Sequence, residues 1–256
     1  MMTQSGHVSL SAPLVQRLRE ARRVLFLTGA GVSAESGLAT FRGPDGMWEG
    51  RDPMSLATPE AFAEDPETVW RFYAWRRLQA ARAKPNAAHR AIAAFQHARP
   101  GVMLVTQNVD GLHERAGSSE TLRLHGSLWR LRCTGDCGED EDLRQDLGEL
   151  PARCDCGDLL RPGVVWFGES LPTEAMGAAT AAAERAELVI VAGTSSVVYP
   201  AAALPELARR NGAYVVEVNP EATPLTGRVD EALPLPAGTA LPALVRAADI
   251  PFEEAR

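Results

Sequence analysis

A short apolar run, Val24-Leu25-Phe26-Leu27-Thr28, leads straight into Gly29-Ala30-Gly31-Val32-Ser33-Ala34. A run this apolar suits a strand buried on both faces, as parallel strands are. The two glycines let the backbone turn tightly and come close to a ligand. The helix that follows offers free N–H groups and a positive dipole end to a phosphate. The combination places a dinucleotide-type ligand at the carboxyl end of a sheet. The third small position is Ala34 rather than glycine. A dehydrogenase would carry an acidic residue ~20 positions on, at the end of a second strand. Asp45 and Glu49 stand at about that distance, but Phe41-Arg42-Gly43-Pro44-Asp45-Gly46 does not read as a strand. Phosphate binding is therefore expected, and hydride transfer is not supported.

Further short apolar runs at Val102–Thr106, 122–125, Leu188–Ala192 and Tyr214–Val218 alternate with helix-patterned stretches at 13–21, 67–81, 86–98, Thr173–Arg185 and 201–211. This alternation predicts an α/β fold with a doubly wound parallel sheet. Two regions break it. Residues 41–66 carry several Pro and Gly and little periodicity, so they read as an ordered loop with short helices. Residues 133–162 are charged, turn-rich and hold all four cysteines. They look like a small module inserted into the sheet order.

The chain has 256 residues, 45% hydrophobic and 23% charged, enough to bury a core without disulfide staples. Its net charge of -7 gives no reason to expect specific nucleic-acid binding or an anionic membrane surface. The start lacks the basic and apolar regions of a signal peptide, and no apolar stretch reaches the ~18–20 residues of a membrane span. A cytoplasmic monomer is expected. Lys84 is the single lysine; every other Lys+Arg residue is arginine.

The cysteines are spaced Cys133-x3-Cys137, then sixteen residues, then Cys154-x-Cys156. Without a secretion signal, this clustering favours a metal site over a disulfide framework. Four thiolates in two pairs suit a tetrahedral structural zinc that would hold the module together. The second pair is tighter than the usual two-residue gap, which leaves thiols without metal as the alternative.

Six collinear motifs sharpen the reading. They are Gly29-Ala30-Gly31-Val32-Ser33-Ala34-Glu35-Ser36-Gly37 with Phe41-Arg42-Gly43; Thr106-Gln107-Asn108-Val109-Asp110-Gly111-Leu112-His113; Leu124-His125-Gly126-Ser127; Val164-Val165-Trp166-Phe167-Gly168-Glu169; Gly193-Thr194-Ser195; and Val218-Asn219-Pro220-Glu221. In order and spacing, from about residue 24 to 245, they resemble the sirtuin family, in its class III desuccinylase-like bacterial type. The resemblance implies a Rossmann-like NAD domain over 13–132 and 163–248, a helical and loop insertion at about 41–85, and a zinc module at 133–162. NAD and an acyl-lysine protein or peptide would enter the cleft between the two parts.

Carried over by position, Gly29, Ala30 and Glu35 would line the pyrophosphate and nearby ribose, with Gly31 and Ser36 in the same turn. Phe41, Arg42 and Trp48 would belong to a loop over the cofactor. Gly193, Thr194 and Ser195 would meet phosphate and the adenosine ribose, with Asn219 and Glu221 nearby and Ala237 against the adenine. Asn108 and Asp110 would hold the nicotinamide amide, beside Val109, while Gln107 fixes the ribose hydroxyls. His125 would be the general base on a ribose hydroxyl, since an imidazole takes a proton near neutral pH. His89 and His113 are read as structural. By the same resemblance Val165 and Phe167, with Gly168 and Glu169, would pair their backbone with the substrate strand.

Tyr73 and Arg76 are i, i+3 on one predicted helix and so share a face. An arginine fork beside a phenol can take a carboxylate bidentately. The pair resembles the one that marks sirtuins preferring succinyl, malonyl or glutaryl lysine, and Thr40 also resembles that subgroup. The expected activity is NAD-dependent deacylation of lysine, of acidic acyl groups and of acetyl. A mono-ADP-ribosyltransferase on the same scaffold is the alternative, and a non-catalytic sensor of NAD or ADP-ribose the third reading.

Overall fold

The computed structural model describes residues 8–40 and 48–252. Its main sheet has six strands: β1 (Val24–Thr28), β2 (Val102–Thr106), β3 (Thr121–Arg123), β7 (Leu188–Ala192), β8 (Tyr214–Val218) and β9 (Glu231–Leu233). All pair in parallel, in the order β3-β2-β1-β7-β8-β9. The chain starts at the centre, steps out to one edge, then returns and steps out to the other, which is the Rossmann order. The reversal falls between β1 and β7, at the carboxyl end of which the glycine turn lies.

Every residue of β1 and β7 is buried, as their unbroken apolar runs require. One face of the sheet carries Phe26, Leu104, Ile190 and Val216 against α1 (Ala12–Glu20), α6 (Ala87–Ala98) and α10 (Ala237–Ala247). The other carries Leu25, Val105, Val189 and Val215 against α8 (Thr173–Arg185) and α9 (Leu204–Arg210). Each large side chain buried this way contributes about 1.5–3 kcal/mol. The caps are legible: Ser11 accepts from the Leu14 amide at α1, and Asn86 from the Ala88 amide at α6.

A second sheet, β5-β4-β6, is antiparallel and built from β4 (Gly126–Cys133), β5 (Glu139–Glu141) and β6 (Leu160–Val164). Its strands begin before Cys133 and end after Pro162, so they reach past the 133–162 stretch. Helix α5 (Pro66–Arg82) covers this sheet through an aromatic cluster that includes Trp70, Phe72, Tyr73 and Trp166. Arg77, 1% exposed, locks the pair: it donates to the carbonyls of Leu128 and Asp142 and to the Asp142 carboxylate. Two short helices, α3 (Pro53–Leu56) and α4 (Pro59–Glu64), stand in the segment read as an ordered loop with short helices, capped by Asp52 and Thr58.

Several elements differ from the sequence reading. The third strand ends at Arg123; the Leu124 amide still donates to Thr106 O (2.9 Å), and His125 lies beyond the strand. The stretch 201–211 divides into a 3-10 turn, Ala201–Ala203, and α9, which opens with Pro205 at its start. Helix α10, which is not among the helix-patterned stretches read from the sequence, carries Pro242 inside it. Burial of Ala240, Leu241, Leu244 and Val245 against the sheet outweighs it. Among the described residues no helix is long and apolar enough to cross a membrane. The short helix α7 (Leu112–Arg115) follows β2.

Candidate active site and metal centre

The glycine turn is held by the strand beside it. Gly29 donates to Ala192 O (3.1 Å), Gly31 to Gly193 O (2.8 Å), and Gly193 to Val218 O (3.0 Å). The approach is too close for side chains: a Cβ on Gly29 would sit 2.8 Å from Gly193 O, and one on Gly193 2.3 Å from Val32 N. Gly193 also has φ +59, where a side chain is strained. The result is a side-chain-free cradle where the sheet order reverses, next to α2 (Gly31–Ala34).

Around the cradle lie most of the residues singled out from sequence. Gln107 donates from its backbone to Thr28 O (2.9 Å) and from Nε2 to Thr194 Oγ1 (3.1 Å). Asn219 Nδ2 donates to Thr194 O (3.4 Å). Glu35 accepts from the Gly238 amide at 2.6 Å, which ties it to the start of α10 beside Ala237. Ser36 accepts from Asn86 Nδ2 (3.0 Å) and so turns toward α6. Ser195 and Glu221 are exposed. Phe41 and Arg42 lie outside the described residues, and Thr40 borders them. Trp48 is buried, and its ring contacts are with α5: Phe72 at 5.6 Å and the Arg71 guanidinium at 5.7 Å.

Asp110 and Asn108 converge on a residue the sequence reading did not single out for itself. Ser33 Oγ donates to Asp110 Oδ2 (2.8 Å) and accepts from Asn108 Nδ2 (3.3 Å). Asp110 Oδ1 accepts from the Leu112 amide, and burial raises its carboxyl pKa. His89 Nε2 lies 3.3 Å from the same Ser33 hydroxyl, and the His89 and His113 rings are 4.8 Å apart. Burial drives His89 down to about 4 and His113 well below the ordinary imidazole value. Both are neutral members of a buried polar network.

His125 sits just past β3. Its Nδ1 is 3.1 Å from Gln107 O, and a carbonyl can only accept, so Nδ1 carries the proton and Nε2 is the free base. Burial lowers the pKa of the ring, with the Gln107 bond working against that. Its own carbonyl accepts from the Val165 amide (2.9 Å).

The segment after β6 is fixed from behind. Arg161 forks onto both Glu169 oxygens (2.6 and 2.9 Å) with its guanidinium 3.5 Å from the Trp166 ring. The amides of Val165, Phe167 and Glu169 are committed to His125 O, Ala57 O and Trp166 O. A substrate strand along this segment would therefore meet carbonyl oxygens, not those three N–H groups.

On α5, the Tyr73 hydroxyl accepts from Trp166 Nε1 (2.9 Å) and the Arg76 guanidinium lies 5.7 Å from the Tyr73 ring. Desolvation lowers the Arg76 pKa, while Tyr73 and Asp110 hold it up. The guanidinium thus stays charged in an apolar wall, facing toward the Asp110 side of the cleft.

In the small sheet the sulfurs of Cys133, Cys137, Cys154 and Cys156 all lie within 4.8 Å of one another, with Cys133 and Cys156 at 3.6 Å. Tetrahedral zinc with ~2.3 Å bonds needs sulfurs just under 4 Å apart. The tight Cys154-x-Cys156 pair therefore does not prevent convergence, and the four thiols fit a structural zinc.

A family model described as the Sir2 family matches residues 29–200. The chain belongs to the Sir2 family. A relative from Aquifex aeolicus, named NAD-dependent protein deacylase, is 51% identical over 82% of this chain and 89% of its own. A crystal structure of a Sir2 homolog–NAD complex superposes with a TM-score of 0.89 at 46% identity, covering 95% of each chain. A Sir2–p53 peptide–NAD+ complex superposes with a TM-score of 0.81 at 32% identity, over 94% of this chain and 99% of that one. The doubly wound sheet and the small cysteine-bearing sheet are thus those of a sirtuin.

Proposed function

We propose that this sirtuin is an NAD-dependent protein-lysine deacylase. It removes succinyl and malonyl groups, and acetyl as well, giving nicotinamide and O-acyl-ADP-ribose. The observation that carries the reading is His125: its tautomer is set by Gln107 so that Nε2 is an unprotonated base beside the cleft. Binding alone has no use for such a base. The relatives' names and the peptide complex support the same class.

The fit to NAD rests on the side-chain-free cradle, whose backbone can approach a pyrophosphate as no Cβ-bearing turn could. When bound, NAD supplies an electrophilic ribose carbon and a leaving group. In this reading the chain divides into 13–132 with 163–248 for NAD and 133–162 for zinc. Gln107, braced on Thr194, positions a ribose hydroxyl; His125 Nε2 takes its proton. Asn108 and Asp110, braced by Ser33, orient the carboxamide. Arg76 binds the distal carboxylate of an acidic acyl group, with Tyr73 as a second donor. Gly29, Gly31, Ala30, Glu35, Gly193, Thr194, Asn219 and Ala237 hold the dinucleotide.

The test is mass spectrometry of one peptide carrying succinyl-, acetyl- or unmodified lysine, incubated with enzyme and NAD. The expected result is NAD-dependent acyl loss, faster for succinyl. Arg76→Met should cut succinyl removal by roughly 10–100-fold, the value of a charge-assisted bond, and spare acetyl. Nicotinamide release without acyl loss overturns the deacylase reading in favour of ADP-ribosyl transfer.

A further inference from the structure

A second concavity, of about 580 Å³, lies between the end of α5 and the start of α6, bounded on its far side by Glu35 and Gly238. Its wall carries three cations: Arg82, Lys84 and Arg90. Lys84 is the chain's only lysine.

None of the three serves a structural partner that accounts for its charge. Among the described residues no ion pair includes any of them. Cations near a helix carboxyl end ordinarily answer its carbonyls. Here that work is done from the other side, by Arg115, which donates to Ala80 O (2.8 Å) and Ala83 O (2.7 Å). Arg82 and Lys84 are left facing outward, both exposed. Arg90 is tethered through Nη1 to Pro85 O (2.7 Å), while its buried Nε finds no acceptor. Asn86, which caps α6 by accepting from the Ala88 and His89 amides, lines the same space. The one acid in the wall, Glu35, is occupied by the Gly238 amide.

The geometry points to an anion site in this concavity that takes a phosphate group, free or as a monoester, held by Arg82, Lys84 and Arg90 and occupied together with the dinucleotide. The Arg82 and Arg90 guanidinium groups and the Lys84 ammonium are the kinds of donor a dianionic phosphate uses. Only Glu35 and Ser36 are shared with the proposed cofactor site. The inference goes beyond deacylation. Because His89, next to Arg90, touches Ser33, a bound anion lies two residues from the network that braces Asp110 and Asn108.

The experiment uses the full chain saturated with NAD, so that the cofactor's own phosphate subsites are filled. Inorganic phosphate and ribose 5-phosphate are titrated separately by calorimetry, and Lys84 reactivity is read by reductive methylation and peptide mass spectrometry. Binding in the presence of NAD is expected, with methylation of Lys84 slowed. Arg82→Gln, a surface change, and Arg90→Gln should each weaken binding about tenfold or more and leave NAD affinity unchanged. Tighter binding of ribose 5-phosphate than of phosphate identifies a sugar phosphate or nucleotide as the source; equal binding identifies free phosphate. Phosphate binding that vanishes when NAD saturates, or Lys84 methylation indifferent to phosphate, overturns the proposal. A chain that shows no heat with NAD fails the cofactor reading instead, and the two failures are distinct.

Discussion

The imidazole of His125 donates from Nδ1 to the carbonyl oxygen of Gln107, at 3.1 Å. This bond leaves Nε2 as the basic nitrogen, and burial keeps the ring's pKa below its ordinary value. A depressed pKa means the base form persists to lower pH. The acid limb of kcat/KM should therefore fall below pH ~6.5, the unperturbed imidazole value. His125→Ala should lose about 10²–10⁴-fold in rate, the usual worth of a general base. A pH–rate profile of both proteins checks it, and a limb at or above 6.5 counts against His125 as the base.

The buried His89 makes a prediction about stability. Its pKa is about 4 when folded and about 6.5 when unfolded. Between these values the unfolded chain binds a proton that the folded chain refuses, so stability is full above pH 6.5 and drains away as pH falls toward 4. The loss should reach roughly 3 kcal/mol. Asp110, with its raised pKa, works in the opposite direction. Urea titrations at pH 7 and pH 5, on the native chain and on His89→Asn, separate the two. The variant should show the smaller fall.

Gly193→Ala puts a methyl 2.3 Å from Val32 N and forces a side chain to φ +59. Destabilisation of about 2–3 kcal/mol is expected from strain and overlap together. The turn must open to relieve it, so NAD affinity should fall in step. Denaturant midpoints and an NAD titration measure the two effects; unchanged affinity would sink the cradle as the dinucleotide site.

Metal analysis should find a single zinc per chain, bound by the four cysteines. Chelation should melt the β4–β6 region, exposing the Trp70 and Trp166 environment, and lower Tm by calorimetry. The double change Cys154→Ser with Cys156→Ser should abolish zinc binding. Retention of zinc by that variant would show that the metal is held elsewhere.

Much of this was legible in the chain. Strands β1, β2, β7 and β8 were bounded to the residue because each is an apolar run buried on both faces, and only such a run reads without its neighbours. Strands β4 and β6 were hidden by Arg130, Arg132 and Arg161, which look like solvent-facing charge. Arg161 is in fact buried against Trp166, with Glu169 as its partner. Helix α10, with Pro242 inside it, was not read from the sequence. In the site, motif residues such as Gln107 and His125 could be named only because their motifs resemble those of the family. Ser33, Arg77 and His89 could not be weighed, because their importance lies in partners 51 to 77 positions away that only folding brings near.

The backbone bond from the Val165 amide to His125 O, together with the Gly126–Val164 pairing, makes His125 the first rung of the ladder that ends, past an irregularity between Gly126 and Leu131, at Cys133 and Leu160. The cysteine cluster and the imidazole are thus two ends of one measuring rod. Loosening of the thiol end should reach the imidazole as a positional error, while the cradle at Gly29 and Gly193, carried on other strands, keeps its shape. A partly metal-depleted preparation should accordingly hold NAD as well as ever and turn it over poorly.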